Sequence, residues 1–486
     1  MAVFAAVLVI FTSLPYIAGI QLPFPDSRFD QVLSFDADFH SYFAFMRQAR
    51  DGQWLFHSPY TSEAHAPALF NLEWLLFGKL ARLLGGSLEA AMHVERVAGI
   101  FLLAFGLYRL GSLLLAGEWM RRFAFALVLL GGGFGWIPHV PVVRNWLPRF
   151  VSPDVYAGVH PFFWMLIAPH FLLPQALAVW TIVMLLTHRY LAAAALLVAT
   201  GAMRPFDMLQ LSAAIGLFGL LRRSLPALAV VAATLPLWLH YVWIFKFHPI
   251  FQWWSIQNVF PPRRPAMLAM ALGLGGLLFL WARFGLPDLR RPASQPAPRV
   301  LLVCCALCSL ALLYSFPLLT FSLQIVTTLA IPVVLIGVTR LQPHRGWLAL
   351  LVLNSLTSAV VWRASIYDLE SGKHRTPHDL LAAYDWLARH SRPRELVLAG
   401  EQDSNRLPRY APVTVFWGYF TTVNYPTKKG LMKQFFDPDT TAEWRREFLL
   451  HHRFRYVLLP ADQAAPAGPL QEVFRNGTAV IYRVLP

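Results

Sequence analysis

Apolar stretches of about 18 or more residues recur along most of this chain, separated by short polar turns, which is the pattern of membrane-spanning helices. We read eleven spans, at about 3–20, 96–116, 122–138, 161–187, 190–203, 208–221, 225–247, 266–283, 300–315, 318–339 and 346–362. The fifth and sixth are short for a bilayer of about 30 Å, which predicts tilted, kinked or part-way helices. Polar pattern is concentrated in a first loop (21–95) and a tail (363–486). The expected fold class is a polytopic α-helical membrane protein of about 11 transmembrane helices, with a large first extracytoplasmic loop and a small C-terminal α/β domain. This divides the chain into a membrane domain, 1–362, and an extracytoplasmic domain, 363–486.

The tail alternates helical and strand-like periods. "HDLLAAYDWLARHS" sets Leu380, Leu381, Tyr384 and Leu387 at helical spacing, and "ELVLAG" then reads as a strand. "TAEWRREFLLHHRF" reads as another helix leading into "RYVLLP", and "EVFRNGTAVIYRV" reads as a hairpin around an Asn-Gly turn. The sum is a small α/β layer. It holds no G-x-G-x-x-G, no P-loop and no nucleophile elbow, so nothing marks it as a nucleotide site. No internal repeat is apparent, and the Pro-rich basic stretch 283–299 reads as an irregular connector.

Composition agrees with a membrane protein. Of 486 residues, 57% are hydrophobic and 14% charged, and mean hydropathy is +0.49. The net charge of +15 would suit nucleic acid, but its placement reads as topology and anionic-lipid contact instead. With the N-terminus cytoplasmic, every inner turn carries arginine: Arg121/Arg122, Arg189, Arg222/Arg223, Arg283 to Arg299 and Arg340/Arg345. Of 13 acids before residue 363, only Glu118 and Asp288 fall inside, and nine lie in the first loop. Residues 1–20 lack a basic leader and a small-x-small cleavage site, so they read as an uncleaved anchor. Cys304, Cys305 and Cys308 lie within one span without histidine, and read as buried small hydrophobes.

Candidate chemistry gathers at one face. A helix over "FDADFHSYFAFMRQA" would put Phe35, Phe39, Tyr42 and Met46 on one side, along the membrane surface. Asp36, His40 and Arg47 would line the adjacent side. Asp36, Asp38, Glu63 and His65 could then meet in an acidic pocket suited to general-base work or to a hard divalent cation such as Mg or Mn. The bland alternative is a set of solvated loop acids, since D-x-D recurs by chance. Arg204 and Asp207 in "GAMRPFDMLQ" read either as a structural ion pair at a helix break or as a phosphate-facing arginine with its orienting acid. His160 reads as part of the outer site and His170 as an interior histidine. His248, two tryptophans, Gln257, Asn258, Arg263 and Arg264 combine aromatic faces with guanidinium groups, which suits a sugar phosphate.

An anchor, an early acidic pair in "FDADFH…ARDGQWLFHSPYTSEAHAPALFNLEWLLFGKLARLLG", a multispan body and an outer tail resemble the GT-C superfamily of integral membrane glycosyltransferases. The tail stretches "DWLARHSRPRELVLAG", "FWGYFTTVNYPTKKG" and "RYVLLP…EVFRNGTAVIYRV" are similar to those of bacterial membrane sugar transferases. The resemblance implies a hexosyltransferase-like enzyme of the bacterial inner membrane. Its donor would be a sugar on a polyprenyl phosphate, and its acceptor a glycan, lipid or protein. It also implies inversion at the sugar carbon, with Asp36 or Asp38 as base or metal ligand. Related transferases often carry an arginine near the position of Gln324. Here a phosphate role would fall on Arg204 or Arg263/Arg264. A transporter or flippase would instead need ionisable groups spread through the membrane and two related halves. A non-catalytic scaffold would lack converging acids and arginines.

Overall fold

The computed structural model describes all residues except 141–142, 144–157, 258, 260, 263, 283–291, 317, 340, 420, 464–467 and 486. The chain divides into two compact units: Met1–Pro15 with Met92–Tyr241 and Val259–Tyr367, and Tyr16–Ala91 with Val242–Asn258 and Asp368–Pro486.

Among the described residues, six helices are long and apolar enough to cross a membrane: α1 (Ala2–Gln21), Leu88–Leu114, Pro169–Leu186, Leu225–Phe247, Pro265–Ala282 and Trp347–Glu370. Tyr190–Met203 and Ala297–Leu313 are shorter and apolar. Several expected spans are broken rather than continuous. The stretch 161–187 becomes a short helix Pro161–Leu166, a 3-10 turn Pro169–Phe171 and a helix Leu172–Leu186. Pro169 lacks the N–H that would continue the ladder, and it drives Ala168 out of the helical region (φ −137°, ψ 75°). Likewise 318–339 contains a 3-10 segment, Ser322–Thr328, before the helix Ala330–Val338.

The expected span 122–138 is helical only over Glu118–Leu129, because three glycines follow. They let bare backbone meet neighbouring helices. Phe134 N donates to Met270 O at 2.7 Å, and a Cβ on Gly133 would lie 2.2 Å from that oxygen. The buried Asn354 accepts from Leu274 N at 3.1 Å through its side chain, and from Gly132 N at 2.8 Å through its backbone.

The second unit is built on two sheets. Strand β1 (Ser27–Phe29) pairs antiparallel with β2 (Arg375–Pro377) as a two-stranded ribbon. The other sheet has five strands: β3 (Leu396–Leu398), β4 (Thr414–Val415), β5 (Tyr456–Pro460), β6 (Leu470–Arg475) and β7 (Ala479–Val484). Their spatial order is β4-β3-β5-β7-β6, with β3 parallel to both neighbours and β7 antiparallel to both of its own. The β6–β7 hairpin turns at Asn476-Gly477, where the Asn476 side chain accepts from Thr478 N and Ala479 N. Leu380, Ala383, Tyr384 and Leu387 of the helix His378–His390 pack on one face of this sheet. Phe416, Phe435 and Phe448 pack on the other. These tail elements fall where the sequence pattern sets them.

The acidic segment is a helix, α2 (Asp36–Arg50), but not a surface one. Besides Phe39 and Met46, it buries Phe43, Ala44, Phe45 and Ala49. Helix α3 (Leu72–Leu83) covers one side, and Gly78 there sits so close that a Cβ would lie 2.4 Å from Met46 O. The tail helix Glu401–Tyr410 covers another side and buries Arg47, whose Nε donates to Pro408 O at 2.9 Å. Of the expected polar face, His40 and Arg47 are therefore buried, while Asp36 stays partly exposed. Tail residues more than 300 positions away supply its cover.

Candidate active site

Asp36 is the first residue of α2. The residue before it, Phe35, takes a left-handed conformation (φ 55°), uncommon for a bulky side chain. The acid is partly exposed, and its Oδ1 accepts from His374 Nδ1 at 2.5 Å. His374 precedes β2, also in a left-handed conformation (φ 61°), and its carbonyl accepts from Asp30 N at 2.9 Å. The β1–β2 ribbon thus carries a tail histidine onto a first-loop acid. Two strained backbone positions flanking one hydrogen bond are the kind of local cost found at functional sites. Among the described residues, Asp36 Oδ2 has no hydrogen-bond partner.

That acid lines a cavity of about 320 Å3, together with Ala37, His40, Asn405, Arg406 and Tyr419 among others. The volume falls in the range of small-molecule sites, about 300–1,000 Å3. Asn405 is fixed in the wall by donating from Nδ2 to Ala37 O at 3.0 Å. Gly418 lets the opposite wall approach, since a Cβ there would lie 2.9 Å from the Ser404 backbone.

Asp38, two residues on, faces a different environment. Tyr419 OH donates to its Oδ1 at 2.9 Å. Burial pushes its carboxyl up to about 6, against the pull of that hydrogen bond. His40 is buried and neutral. Burial first, and then the Arg409 charge, hold it well below the usual imidazole range. Arg409 Nη1 donates to His40 Nδ1 at 3.3 Å, which leaves the His40 proton on Nε2, 3.8 Å from Asp30. Asp30 is fully buried, and its two oxygens share the one proton of Thr376 Oγ1, which lies 2.9 and 2.8 Å away. His40 therefore belongs to a buried charge network beneath the cavity and is not a free base.

Glu63 and His65 do not join Asp36. Glu63 pairs with the buried Lys428 at 2.7 Å, and Lys428 also donates to Ser62 at 3.0 Å. Ser58 N donates to His65 Nε2 at 2.9 Å, and His65 Nδ1 donates to Glu63 O at 2.8 Å, so both ring nitrogens are spent on backbone. His248 donates from Nε2 to Ala66 O at 2.9 Å and is likewise a packing residue. The expected four-membered acidic pocket thus resolves into separate partnerships, because tail residues claim each acid.

In the other unit, His160 is buried, with Nε2 bonded to Ala271 O at 2.9 Å. Arg204 is 6% exposed and Asp207 1%. Arg204 Nη1 donates to Asp207 and to Thr327 Oγ1 at 2.8 Å. Its Nη2 donates to Gln324 O and Oε1, both at 2.9 Å. With all four terminal N–H groups engaged, the arginine fits the structural reading, an ion pair closing the break between Tyr190–Met203 and Pro205–Arg222. Arg264 is exposed just ahead of the helix Pro265–Ala282, and Arg263 and Asn258 lie outside the described residues. Among the described residues, no group of three His, Cys, Asp or Glu side chains converges to hold a metal ion.

The residues that sequence reasoning missed are His374, Arg406, Arg409 and Tyr419. Each is a tail residue: His374 is placed by the ribbon, Arg406 and Arg409 by the helix Glu401–Tyr410, and Tyr419 by the segment that follows β4.

No protein-family model matches this chain, and no curated protein matches it either. Solved structures do. The chain is similar to the arabinofuranosyltransferase AftD from Mycobacteria at 17% identity and a TM-score of 0.59, over 99% of this chain and 39% of that one. It thus spans about two fifths of AftD. It is also similar to ArnT from Cupriavidus metallidurans bound to undecaprenyl phosphate, at 11% identity and a TM-score of 0.56. That match covers 99% of this chain and 98% of ArnT. The apo form of ArnT gives 12% identity and a TM-score of 0.54. At such identities the likeness shows the fold, which is that of the GT-C glycosyltransferases.

Proposed function

We propose that this chain, built on the GT-C fold, is a membrane glycosyltransferase that moves a sugar from a polyprenyl-phosphate carrier to an acceptor hydroxyl. The observation that carries this reading is Asp36, with one oxygen fixed by His374 and the other unpartnered on a cavity wall. In this reading the acceptor oxygen attacks the anomeric carbon and its proton passes to Asp36. The bond from that carbon to the phosphate oxygen breaks, and the carrier leaves with the electron pair. One displacement inverts the anomeric centre and needs no enzyme nucleophile, in keeping with a single open carboxylate.

Asp38, engaged by Tyr419, supports the site rather than the chemistry. The likeness to ArnT, solved with undecaprenyl phosphate, favours a lipid-linked donor. The arginine bias of the turns favours a cytoplasmic N-terminus with the site on the outer face, and the resemblance to bacterial sugar transferases favours an inner membrane.

The test is transfer of labelled sugar from a polyprenyl-phosphate donor by the full chain in lipid. Asp36→Asn should lower the rate about 10²- to 10⁴-fold, the usual worth of a positioned base, while Asp38→Asn lowers it less. Wild-type transfer in Asp36→Asn overturns the assignment.

A further inference from the structure

The cavity beside Asp36 is lined by two charges that the chemistry above does not use, Glu401 and Arg406. The tail helix Glu401–Tyr410 turns Glu401, Gln402, Asn405 and Arg406 toward it. Most ionised groups of this helix are accounted for within the protein. Glu401 accepts from Tyr425 OH at 2.9 Å and lies 3.7 Å from Lys429. Asp403 accepts from Tyr384 OH at 2.7 Å, and Arg409 is paired with Glu89. Arg406 is half-buried and forms no hydrogen bond or ion pair among the described residues, though its field reaches Asp30 and Asp403.

A guanidinium that has lost part of its water without gaining a carboxylate leaves a cost that an arriving anion can offset. Its planar fork suits the paired oxygens of a phosphate or carboxylate. It is also well anchored, because the Asn405 bond to Ala37 O and the Arg409 network tie its helix to α2. Tyr419 and Tyr425 line the same cavity with their hydroxyls committed to Asp38 and Glu401, so what they offer a ligand is ring face. Aromatic faces, an amide, a carboxylate oxygen and one uncompensated cation together suit a sugar that carries a negative charge.

We infer that Arg406 seats an anionic group of the substrate, a phosphate or a carboxylate, in the cavity that holds Asp36. The inference rests on the sugar-transfer reading and gives the tail a share in substrate recognition. The anion has two chemical sources: the phosphate of the lipid-linked donor, or an acidic group on the acceptor. In the first case Arg406 also faces the charge that builds on the phosphate as the sugar leaves.

Full-length protein in lipid nanodiscs would be probed with undecaprenyl phosphate by direct binding, and with glucuronate as an inhibitor of transfer. Arg406→Gln should weaken one of these about 10- to 100-fold, the worth of a charge-assisted hydrogen bond. Arg406→Lys, which keeps the charge and loses the fork, should fall between. Lys433→Gln, an exposed lysine outside the cavity lining, should stay within about twofold of wild type. Loss of undecaprenyl phosphate binding identifies the donor phosphate, and loss of glucuronate inhibition alone identifies an acidic acceptor. If Arg406→Gln and Arg406→Lys both match wild type with both probes, the inference is overturned. Failure of the underlying reading looks different: wild-type protein would then transfer no sugar from the lipid donor at all.

Discussion

Asp36 and Asp38 stand two residues apart in the first turn of one helix, yet they meet different partners. Asp36 lines the cavity, with an imidazole N–H on one oxygen and no partner among the described residues on the other. Asp38 is covered, and holds its proton up to about pH 6 against an ordinary value of 3.8. Between those values the folded chain binds more protons at Asp38 than the unfolded chain does, so this residue makes stability fall as pH rises from about 4 to 6. His57 works in the opposite sense. Burial lowers its imidazole to about 4, so its share of stability is lost as pH falls toward that value. Melting temperatures of wild type and Asp38→Asn at pH 4, 5 and 6 separate the two. The variant should lose less stability than wild type across that rise, and parallel curves would show that Asp38 does not titrate there. None of this could be read from "FDADFH", because the residue that distinguishes the acids, Tyr419, is more than 380 positions away.

At the scale of elements, local pattern succeeded where cover was local. The helix His378–His390, the strand "ELVLAG" and the Asn-Gly hairpin form because their own side chains set the period and the turn. Helix α2 was legible as a helix but not as an interior one, since its outer cover comes from Glu401–Tyr410. Breaks in the apolar helices show the same limit. Pro169 announces a kink, whereas the 3-10 segment Ser322–Thr328 is supported by Arg204 reaching across from another part of the chain. Arg204→Ala would leave Asp207 buried without its counter-charge, and should lower stability by about 3–5 kcal/mol. The double variant Arg204→Leu with Asp207→Leu should recover most of that loss and retain sugar transfer. A double variant that folds but cannot bind undecaprenyl phosphate would return Arg204 to the phosphate-binding role.

For the molecule as a whole, the sequence showed what kind of solvent surrounds most residues, and so the class of fold. It could not show which polar residues would meet, because the meeting is arranged by the β1–β2 ribbon between Ser27–Phe29 and Arg375–Pro377. A chain ending at residue 373 keeps the first loop and all six long apolar helices but lacks β2 and His374. It should insert into membranes and show no sugar transfer, with the first loop cut by protease far faster than in the full chain. Protease resistance equal to that of the full chain would mean that the ribbon does not hold the loop.

The ribbon also has a temporal side. A ribosome makes the acid 338 residues before its histidine partner. Throughout the elongation between them the nascent polypeptide carries an unfinished centre, and the pair forms only once the tail has been made. Under the sugar-transfer reading, translation products abandoned before the ribbon closes would therefore be inert.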